Sequence, residues 1–251
     1  MIARILATKR QEVESLKRGT YGQRRKPVIP LACNDPVNII AELKSRSPSA
    51  GFIAEVDSER IRAYSRYGSA ISVVTDRTYF GGSLQFLAEV AEMTDLPVLC
   101  KDFIIDPVQI DLAYAAGADL VLLIARILSG EQLEALYAHA RDLGLACLVE
   151  LHDEADLPKL AGLDAPIPGV NARDLDTLAI DLDAATRLLS QLEAPVRVAE
   201  SGIRSRRDIE RLGAANAFLI GETLMRSRDV GWTFRELLHG EDQVLRDDGP
   251  G

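Results

Sequence analysis

The chain has 251 residues, of which 47% are hydrophobic and 27% are charged, a composition too apolar for a disordered chain and too evenly mixed for a membrane protein. Aspartate and glutamate outnumber lysine and arginine by 38 to 29, which gives a formal net charge of −9, and the basic residues are scattered along the chain. This charge argues against nucleic acid or an anionic membrane as the main partner.

Cysteine usage points to a reducing compartment. Cys33, Cys100 and Cys147 are too few and too widely spaced for a secreted disulfide framework, and no Cys-x-x-Cys or Cys/His pair has the spacing of zinc ligands. No apolar run reaches the roughly 18 residues needed to span a bilayer. We therefore expect a protein of the cytoplasm.

The first predicted element is an amphipathic helix at the start of the chain. Ile2, Ile5, Leu6 and Val13 are interspersed with charged residues, so the segment lacks the continuous apolar core of a signal peptide. From residue 38 onward, short β-branched runs alternate with longer amphipathic stretches. The short runs predict eight strands, at residues 38–44, 70–75, 97–101, 119–124, 146–150, 168–171, 196–200 and 217–220.

The order of these elements predicts a closed barrel. Strand and helix alternate at a spacing of about 25 residues, which is typical of βαβ units and a parallel sheet. No glycine-rich dinucleotide loop follows the first strand and no linker divides the chain, so eight repeats favour a single (β/α)8 TIM barrel of the α/β class over an open doubly wound sheet. We predict one domain over residues 1–240, including the extra N-terminal helix, and a polar, disordered tail over residues 241–251.

Two local features qualify this prediction. Proline removes a donor from a strand ladder, so the sixth strand should be very short or begin at Pro168. Predicted helices end in glycine turns at positions 68, 117, 144 and 213, and each glycine suits a left-handed cap.

Polar side chains gather at the carboxyl ends of the predicted strands, where TIM barrels build their sites. Because alternate residues of a strand face the same side, Ala41 and Leu43 should face the helices while Glu42 and Lys44 point inward. The same alternation predicts further inward side chains at Lys101, Glu150, Asn171 and Glu200.

Five of these side chains are charged, and they could form either a stabilising ion network or a site. Buried ion pairs contribute little to stability, and apolar replacements are often neutral or better. Convergence at the functional end of this fold therefore favours a site.

Seven motifs lie at the ends of predicted strands or in the loops after them: Ile40-Ala-Glu-Leu-Lys-Ser-Arg-Ser-Pro-Ser-Ala-Gly51, Ser72-Val-Val-Thr-Asp76, Tyr79-Phe-Gly-Gly-Ser83, Leu99-Cys-Lys-Asp-Phe-Ile104, Val149-Glu-Leu-His152, Gly169-Val-Asn-Ala-Arg-Asp-Leu175 and Ala199-Glu-Ser-Gly-Ile203. In order and in spacing they resemble the strand-end motifs of the indole-3-glycerol phosphate synthase family. The resemblance extends from the N-terminal helix to about His239. Ala50 and Ala172 depart from the family pattern, in loops expected to contact the substrate.

The resemblance implies a lyase of tryptophan biosynthesis. Such an enzyme closes carboxyphenylamino-deoxyribulose phosphate to indole-3-glycerol phosphate with loss of carbon dioxide and water. Lys101, kept cationic by carboxylates, would donate a proton to the sugar carbonyl during ring closure, and Glu150 would be the acid/base for loss of the hydroxyl. No step requires a metal, a redox cofactor or a covalent intermediate, so no cofactor is predicted.

The remaining strand-end residues would support these two. Lys44 would neutralise the substrate carboxylate or share in proton transfer. Glu42 and Asn171 would orient the reacting groups, while Glu200 and Ser201 would complete the polar wall of the site.

Phosphate is expected on the other side of the barrel mouth, at the loops after the seventh and eighth strands. Gly202 and Gly221 would let backbone amides approach it, with hydroxyls from Ser201 and Ser47, although turn geometry alone could explain both glycines. A carboxylate facing a phosphate would repel it, so Glu222 should point its side chain away while its amide donates.

Other candidates have ordinary interpretations. Phe80, Leu122 and Ile124 could line an aryl pocket or simply pack inside the barrel. His139 and His152 have no partner at the spacing of a metal site or a catalytic triad.

Two alternative functions are open. One is a phosphoribosylanthranilate isomerase or a related sugar-phosphate isomerase, which would use a cysteine or aspartate pair, whereas Cys100 and Cys147 are predicted to face the helices as core residues. The other is a silent barrel that binds a phosphorylated metabolite or a protein, against which Lys44, Lys101 and Glu150 argue. We expect a phosphorylated small molecule as the ligand, no nucleic acid or membrane partner, and a monomer or weak homodimer.

Overall fold

The computed structural model describes residues 1–16 and 23–240. Its strands are β1 (Asn38–Leu43), β2 (Arg46–Ser47), β3 (Gly51–Phe52), β4 (Ala70–Val74), β5 (Val98–Lys101), β6 (Leu120–Ile124), β7 (Ala146–Leu151), β8 (Ile167–Asn171), β9 (Val198–Glu200) and β10 (Ala217–Ile220). Its α-helices are α1 (Ile2–Leu16), α2 (Ser58–Tyr67), α3 (Arg77–Phe80), α4 (Leu84–Met93), α5 (Pro107–Ala116), α6 (Gly130–Asp142), α7 (Leu182–Leu189), α8 (Arg206–Arg211), α9 (Glu222–Arg226) and α10 (Val230–His239). Two 3-10 segments cover Ala125–Ile127 and Glu154–Leu160.

Eight strands close into a parallel barrel. The order around the barrel is β1, β4, β5, β6, β7, β8, β9 and β10, and β10 pairs with β1 to complete the ring. Ile40 of β1 pairs with Ala70 on one side and with Leu219 on the other. The predicted (β/α)8 barrel with an extra N-terminal helix is confirmed. The single-domain assignment stays a prediction, and the tail over residues 241–251 lies outside the described residues.

The predicted strands agree with the observed ones to within two residues at each end. Strand β8 begins at Ile167, so Pro168 is its second residue, and the expectation that the strand would begin at Pro168 is wrong by one position. Pro168 pairs with Val149 of β7, whereas pairing between β8 and β9 starts only at Gly169. The backbone N–H that proline lacks is therefore missing at a position before the β8–β9 pairing begins. The short β2–β3 hairpin is not predicted by the sequence pattern.

The predicted left-handed caps are found at two of four positions. Gly117 and Gly144 have φ values of 103° and 79°, whereas Gly68 and Gly213 have no positive φ.

The barrel has an apolar layer on each side of its sheet. Ile39, Ala41 and Leu43 pack with the helices, while Ile40 packs inside the barrel, as the predicted alternation requires. Polar side chains replace the apolar interior only near the carboxyl ends of the strands. The site is therefore confined to that end, called the mouth below.

Helix α1 lies against the mouth. Its Ile5 is fully buried in the cluster of the barrel interior, together with Phe103 and Leu175 from the loops after β5 and β8. Thr8 lies 3.1 Å from the hydroxyl of Tyr79, which also donates to the carbonyl of Arg4. The amphipathic helix predicted at the start of the chain thus forms part of the wall around the site.

Candidate active site

A cavity of about 1320 Å³ opens at the mouth. Its lining includes every residue that the sequence predicts for the site: Glu42, Lys44, Ser47, Phe80, Lys101, Leu122, Glu150, Asn171, Glu200, Ser201, Gly202, Gly221 and Glu222. These residues come from strand ends that are far apart in the sequence. Closure of the barrel alone brings them together.

Lys101 is the centre of the charged cluster. Its Nζ lies 3.2 Å from Glu150 Oε2 and 3.1 Å from Glu200 Oε2. Glu42, which is also buried, accepts a hydrogen bond from Lys44. The two lysines and three carboxylates are thus held at the ends of β1, β5, β7 and β9, and the predicted convergence of charge is observed.

The environment separates the proton affinities of these groups. Burial disfavours the charged form of Lys101, but Glu200, Glu150 and Glu42 outweigh burial and raise its pKa above the usual value. Burial likewise opposes ionisation of Glu150, but Lys101 outweighs it and the pKa of Glu150 falls below its usual value. For Glu42, Lys44 and Lys101 overcome burial in the same way and lower the pKa.

Glu200 behaves in the opposite way. Burial raises its pKa to about 8, and Lys101 offsets this only in part while Glu150 adds to it. The cluster therefore contains two buried carboxyl groups on two sides of one lysine, with pKa values shifted in opposite directions. Carboxyl groups with separated pKa values are typical of acid/base sites.

The position of Glu200 depends on a glycine whose role the sequence does not reveal. A Cβ atom on Gly169 would lie 2.7 Å from Glu200 Oε1, so only glycine leaves room for this carboxyl group. Within the described residues, that oxygen has no hydrogen-bond partner. Gly169 belongs to one of the strand-end motifs. Its closeness to Glu200 arises from the pairing of β8 with β9, which the motif alone does not contain.

His152 has a carboxylate partner that its sequence position hides. Its Nε2 lies 3.2 Å from Glu150 Oε1, and its side chain is buried. Its backbone amide donates to Asp156, which fixes the start of the loop after β7. His139 also has a partner, Asp111, at 2.7 Å on the surface. Each histidine therefore lies beside one carboxylate, a contact that the sequence analysis does not identify.

The loop after β9 has an unusual backbone. Ser201 and Gly202 have φ values of 68° and 77°, and a positive φ is uncommon for serine. A Cβ atom on Gly202 would also lie 2.6 Å from Ile180 Cγ2. Consecutive residues of this kind turn backbone amides toward one side, which suits an anion.

Gly221 and Glu222 form the junction between β10 and α9. A Cβ atom on Gly221 would meet the carboxylate of Glu42 and would lie 2.9 Å from Lys44 Nζ. The glycine thus makes room for the charged cluster. The Glu222 carboxylate pairs with Arg226 at 2.9 Å, one turn along the same helix.

One side of the cavity is apolar. Phe80, Leu122 and Ile124 line it, and so do Phe103 and Leu175, which the sequence analysis does not single out. The ring centroids of Phe80 and Phe103 are 6.2 Å apart. Phe103 lies two positions after Lys101. Since residues two apart along a strand face the same side, this spacing could have predicted that Phe103 lies at the site.

Both strand cysteines lie outside the site. Cys100 and Cys147 are buried in the layer between sheet and helices, which confirms the prediction that they are core residues. Burial raises the pKa of each thiol to about 12. Neither thiol can therefore provide the acid/base pair of the isomerase alternative.

No metal site or membrane span is evident in the part of the chain that the structure describes. There, no group of three or more His, Cys, Asp or Glu side chains could hold a metal ion. None of the helices in residues 1–16 and 23–240 is long and apolar enough to cross a membrane.

Comparison with known proteins gives a consistent result. A family model described as "Indole-3-glycerol phosphate synthase" matches residues 3–237. An indole-3-glycerol phosphate synthase of Exiguobacterium sibiricum is 43% identical over 251 residues, covering 96% of this chain and 97% of that protein. One from Neisseria gonorrhoeae is 42% identical, covering 92% of this chain and 96% of that protein. Among solved structures, 3-hexulose-6-phosphate synthase superposes with a TM-score of 0.62 at 15% identity over 81% of this chain and 99% of that chain, a likeness of fold alone.

Proposed function

The chain belongs to the indole-3-glycerol phosphate synthase family, and from this premise we infer how its own residues divide the reaction among them. It is a carboxy-lyase of tryptophan biosynthesis. Its reaction converts 1-(2-carboxyphenylamino)-1-deoxyribulose 5-phosphate into indole-3-glycerol phosphate, with loss of carbon dioxide and water. One observation supports this division of roles: Lys101 lies between Glu150 and Glu200, two buried carboxyl groups whose pKa values are shifted in opposite directions.

Lys101 is the acid of ring closure. As an aryl carbon attacks the sugar carbonyl, negative charge develops on the carbonyl oxygen, and a buried ammonium group both stabilises that charge and supplies the proton. Glu150 and Glu200 hold the ammonium group from two sides. Glu200, whose pKa is raised, is also in position to return a proton to Lys101 after the transfer when it carries one.

Glu150 and Lys44 act after ring closure. Ionised Glu150 removes the proton that must leave during dehydration, and Asn171, which donates to its carboxylate, keeps it oriented. Lys44 neutralises the substrate carboxylate until carbon dioxide leaves or shares in proton transfer to the departing hydroxyl. Glu42 orients Lys44 through their hydrogen bond.

The two ends of the substrate are bound on opposite sides of this cluster. The amides of Ser201, Gly202, Gly221 and Glu222, with the hydroxyls of Ser201 and Ser47, bind the phosphate. Phe80 and Leu122 contact the aryl ring. The pairing of Glu222 with Arg226 supports this assignment, because it keeps the carboxylate engaged within helix α9.

The wider setting follows from the same features. The ligand is a phosphorylated small molecule. We propose a cytoplasmic enzyme without nucleic-acid or membrane partners, which acts as a monomer or weak homodimer. The large hydrophobic side chains exposed on the described surface are Phe52, Met93 and Ile180, and they lie on separate elements. Such scattered residues are normal for a monomer, and sedimentation at several concentrations tests the assignment.

A turnover assay tests the function and the roles together. The purified chain is given the anilino-deoxyribulose phosphate without added cofactor, with and without a chelator, and indole fluorescence is followed. We expect product in both conditions, and turnover slower by roughly 10²-fold or more with Lys101→Met. Absence of turnover by the wild-type chain, or isomerisation of phosphoribosylanthranilate instead, would contradict the proposal, and loss of activity that added metal restores would contradict its cofactor-free chemistry.

A further inference from the structure

Lys9 of helix α1 is a buried cation outside the cluster described above. Its side chain is only 4% exposed, and its Nζ lies 2.9 Å from Asp76 Oδ2 and 2.7 Å from Asp102 Oδ1. A third carboxylate, Glu12 on the same helix, lies 2.9 Å away and is partly exposed. Asp76 and Asp102 line the cavity, whereas Lys9 is not among the cavity-lining residues.

Each of the two aspartates holds the backbone of an aromatic residue. Asp76 Oδ1 accepts a hydrogen bond from the amide of Phe80 at 3.1 Å. Asp102 Oδ1 accepts one from the amide of Phe103 at 2.7 Å. Lys9 therefore lies between two carboxylates. The other hydrogen bonds of these carboxylates hold the main chain at Phe80 and Phe103, whose rings lie close together on the apolar side of the cavity.

The balance of charge makes this arrangement depend on the lysine. Burial already raises the pKa of Asp102, although Lys9 and Thr75 oppose the shift. Without Lys9, two buried carboxylates would remain close together with no cation between them. They could relieve this only by taking up a proton or by moving toward solvent, and either change weakens their bonds to the amides.

Docking of helix α1 has other sources of stability. Ile5 is fully buried in the barrel cluster, and Thr8 contacts the hydroxyl of Tyr79. The buried cation is thus more than an attachment point for the helix, because apolar burial and a second polar contact already supply attachment.

We propose that Lys9 is a positioning residue that sets the spacing of Phe80 and Phe103 and thereby the affinity of the site for the aryl half of its ligand. It does so through Asp76 and Asp102, without touching the ligand. The inference rests on the proposed function only in requiring that an aryl group occupies the apolar side of the cavity. The phosphate half, at the loops after β9 and β10, does not depend on Lys9.

Competitive inhibition by two small probes tests this separation. Inorganic phosphate reports on one half of the site and 2-aminobenzoate, the aryl half of the substrate, on the other. In Lys9→Met we expect the inhibition constant of 2-aminobenzoate to rise about tenfold, because only part of the free energy lost when buried charges are left uncompensated reaches the aryl site, while that of phosphate stays within about twofold. KM should rise more than kcat falls, because Lys101 keeps both of its carboxyl partners.

Lys26→Met is the matched control. Lys26 is a partly buried lysine whose Nζ donates to the carbonyls of Ala91 and Glu92 at the end of α4, away from the mouth. Its loss should leave both inhibition constants unchanged even if the melting temperature falls. This control separates a general loss of stability from a change in the aryl half of the site.

The Asp102→Asn variant, alone and combined with Lys9→Met, completes the test. The double variant has one uncompensated carboxylate fewer than Lys9→Met, so it should bind 2-aminobenzoate more tightly than Lys9→Met does. It should still bind this probe about threefold more weakly than Asp102→Asn, which keeps the lysine. If Lys9→Met does not fold, this second comparison decides by itself.

Equal affinity for 2-aminobenzoate with and without Lys9, or an equal loss for both probes, would show that Lys9 only anchors the helix. Lack of turnover by the wild-type chain would instead overturn the proposed function, so the two failures are distinguishable.

Discussion

At the scale of single residues, the site depends on Lys101 having two unlike neighbours. Lys101 compensates the burial of Glu150 and lowers its pKa, while the same lysine offsets the burial of Glu200 only in part, so the pKa of Glu200 stays raised. One cation thus supports a base and an acid within 3.2 Å of its nitrogen.

The first prediction concerns the acid/base pair. Lys101→Met and Glu150→Gln should each lower kcat by roughly 10²-fold or more, because both groups act mainly on transition states. Steady-state kinetics measures the effect, and far-ultraviolet circular dichroism checks that the variants fold. A folded variant with nearly full kcat would remove that residue from the mechanism.

The second prediction concerns pH and stability. The pKa of Glu200 is raised from 4.5 to about 8, so between these values the folded chain keeps a proton that the unfolded chain has released. The contribution of this group to stability is therefore present at low pH and lost as the pH rises through 8. Glu200→Gln removes the titration, so its melting temperature relative to wild type should be higher at pH 9 than at pH 6.

Glu150→Gln is the control for this experiment. The pKa of Glu150 is lowered, so its contribution is present above its ordinary pKa and is lost only as the pH falls. Because Glu150 adds to the raised pKa of Glu200, the melting temperature of this variant relative to wild type should rise from pH 6 to pH 9 by less than that of Glu200→Gln. If the melting temperature of Glu200→Gln relative to wild type is the same at pH 6 and pH 9, the carboxyl group of Glu200 is ionised at neutral pH.

The sequence predicts the members of the charged cluster but not their supporting contacts. Glu42, Lys101, Glu150 and Glu200 are identified by strand alternation, a property of each strand by itself. Gly169 and His152 act through side-chain packing at the mouth, which the sequence of one strand does not contain. The role of Lys9 requires the path of helix α1 over the mouth, which no local pattern encodes.

At the scale of secondary-structure elements, the barrel strands are predictable because they are buried on both faces. Each is a short, nearly continuous apolar run bounded by turn residues, and this pattern has few alternative interpretations. The β2–β3 hairpin has only two residues in each strand and carries no such run, so the sequence does not reveal it.

The junction between β10 and α9 gives the third prediction. Gly221→Ala should lower kcat by about 10-fold or more, because the added Cβ would displace Glu42 and Lys44 from their contact. Gly130→Ala, at the start of α6, is the matched control, since a Cβ there meets nothing within 4 Å. Kinetics on the two variants measures the difference. A larger effect on phosphate affinity than on kcat would show that the added Cβ disturbs the phosphate-binding amides more than the contact between Glu42 and Lys44.

The strand cysteines give the fourth prediction. Cys100→Ala and Cys147→Ala should each cost about 1 kcal/mol of unfolding free energy, since both side chains are buried between sheet and helices. Their kinetics should be close to those of wild type. Cys33→Ala should cost less, because Cys33 is only partly buried. Urea unfolding gives the free energies, and abolished turnover in a stable Cys100→Ala/Cys147→Ala double variant would revive the isomerase alternative.

At the scale of the whole molecule, the described residues close the ring of eight strands and line the cavity at its mouth. Among them, the last strand ends at Ile220, helix α10 ends at His239, and Glu236 is the last residue that lines the cavity. We therefore expect the functional unit to lie within residues 1–240, the segment that the sequence predicts as one domain.

The fifth prediction follows from this expectation. A chain that ends at Gly240 should keep its kcat/KM within about twofold and its melting temperature within roughly 2 °C of the full chain, since the removed segment is predicted to contribute nothing to the core. Thermal unfolding and the turnover assay measure the two quantities. A marked loss in either would place residues 241–251 within the functional unit.

The closing ladder between β1 and β10 also has a consequence for synthesis of the chain. Ile40 pairs with Leu219, so the two strands are separated by about 180 positions. At a rate of about 5–20 residues per second, β1 leaves the ribosome roughly 10–40 s before β10 exists. Throughout that interval the growing sheet keeps β1 as an open edge, and an open apolar edge is a template for pairing with other chains. The segment Asn38–Leu43 is therefore an unpaired apolar edge of the growing sheet until β10 closes the ring.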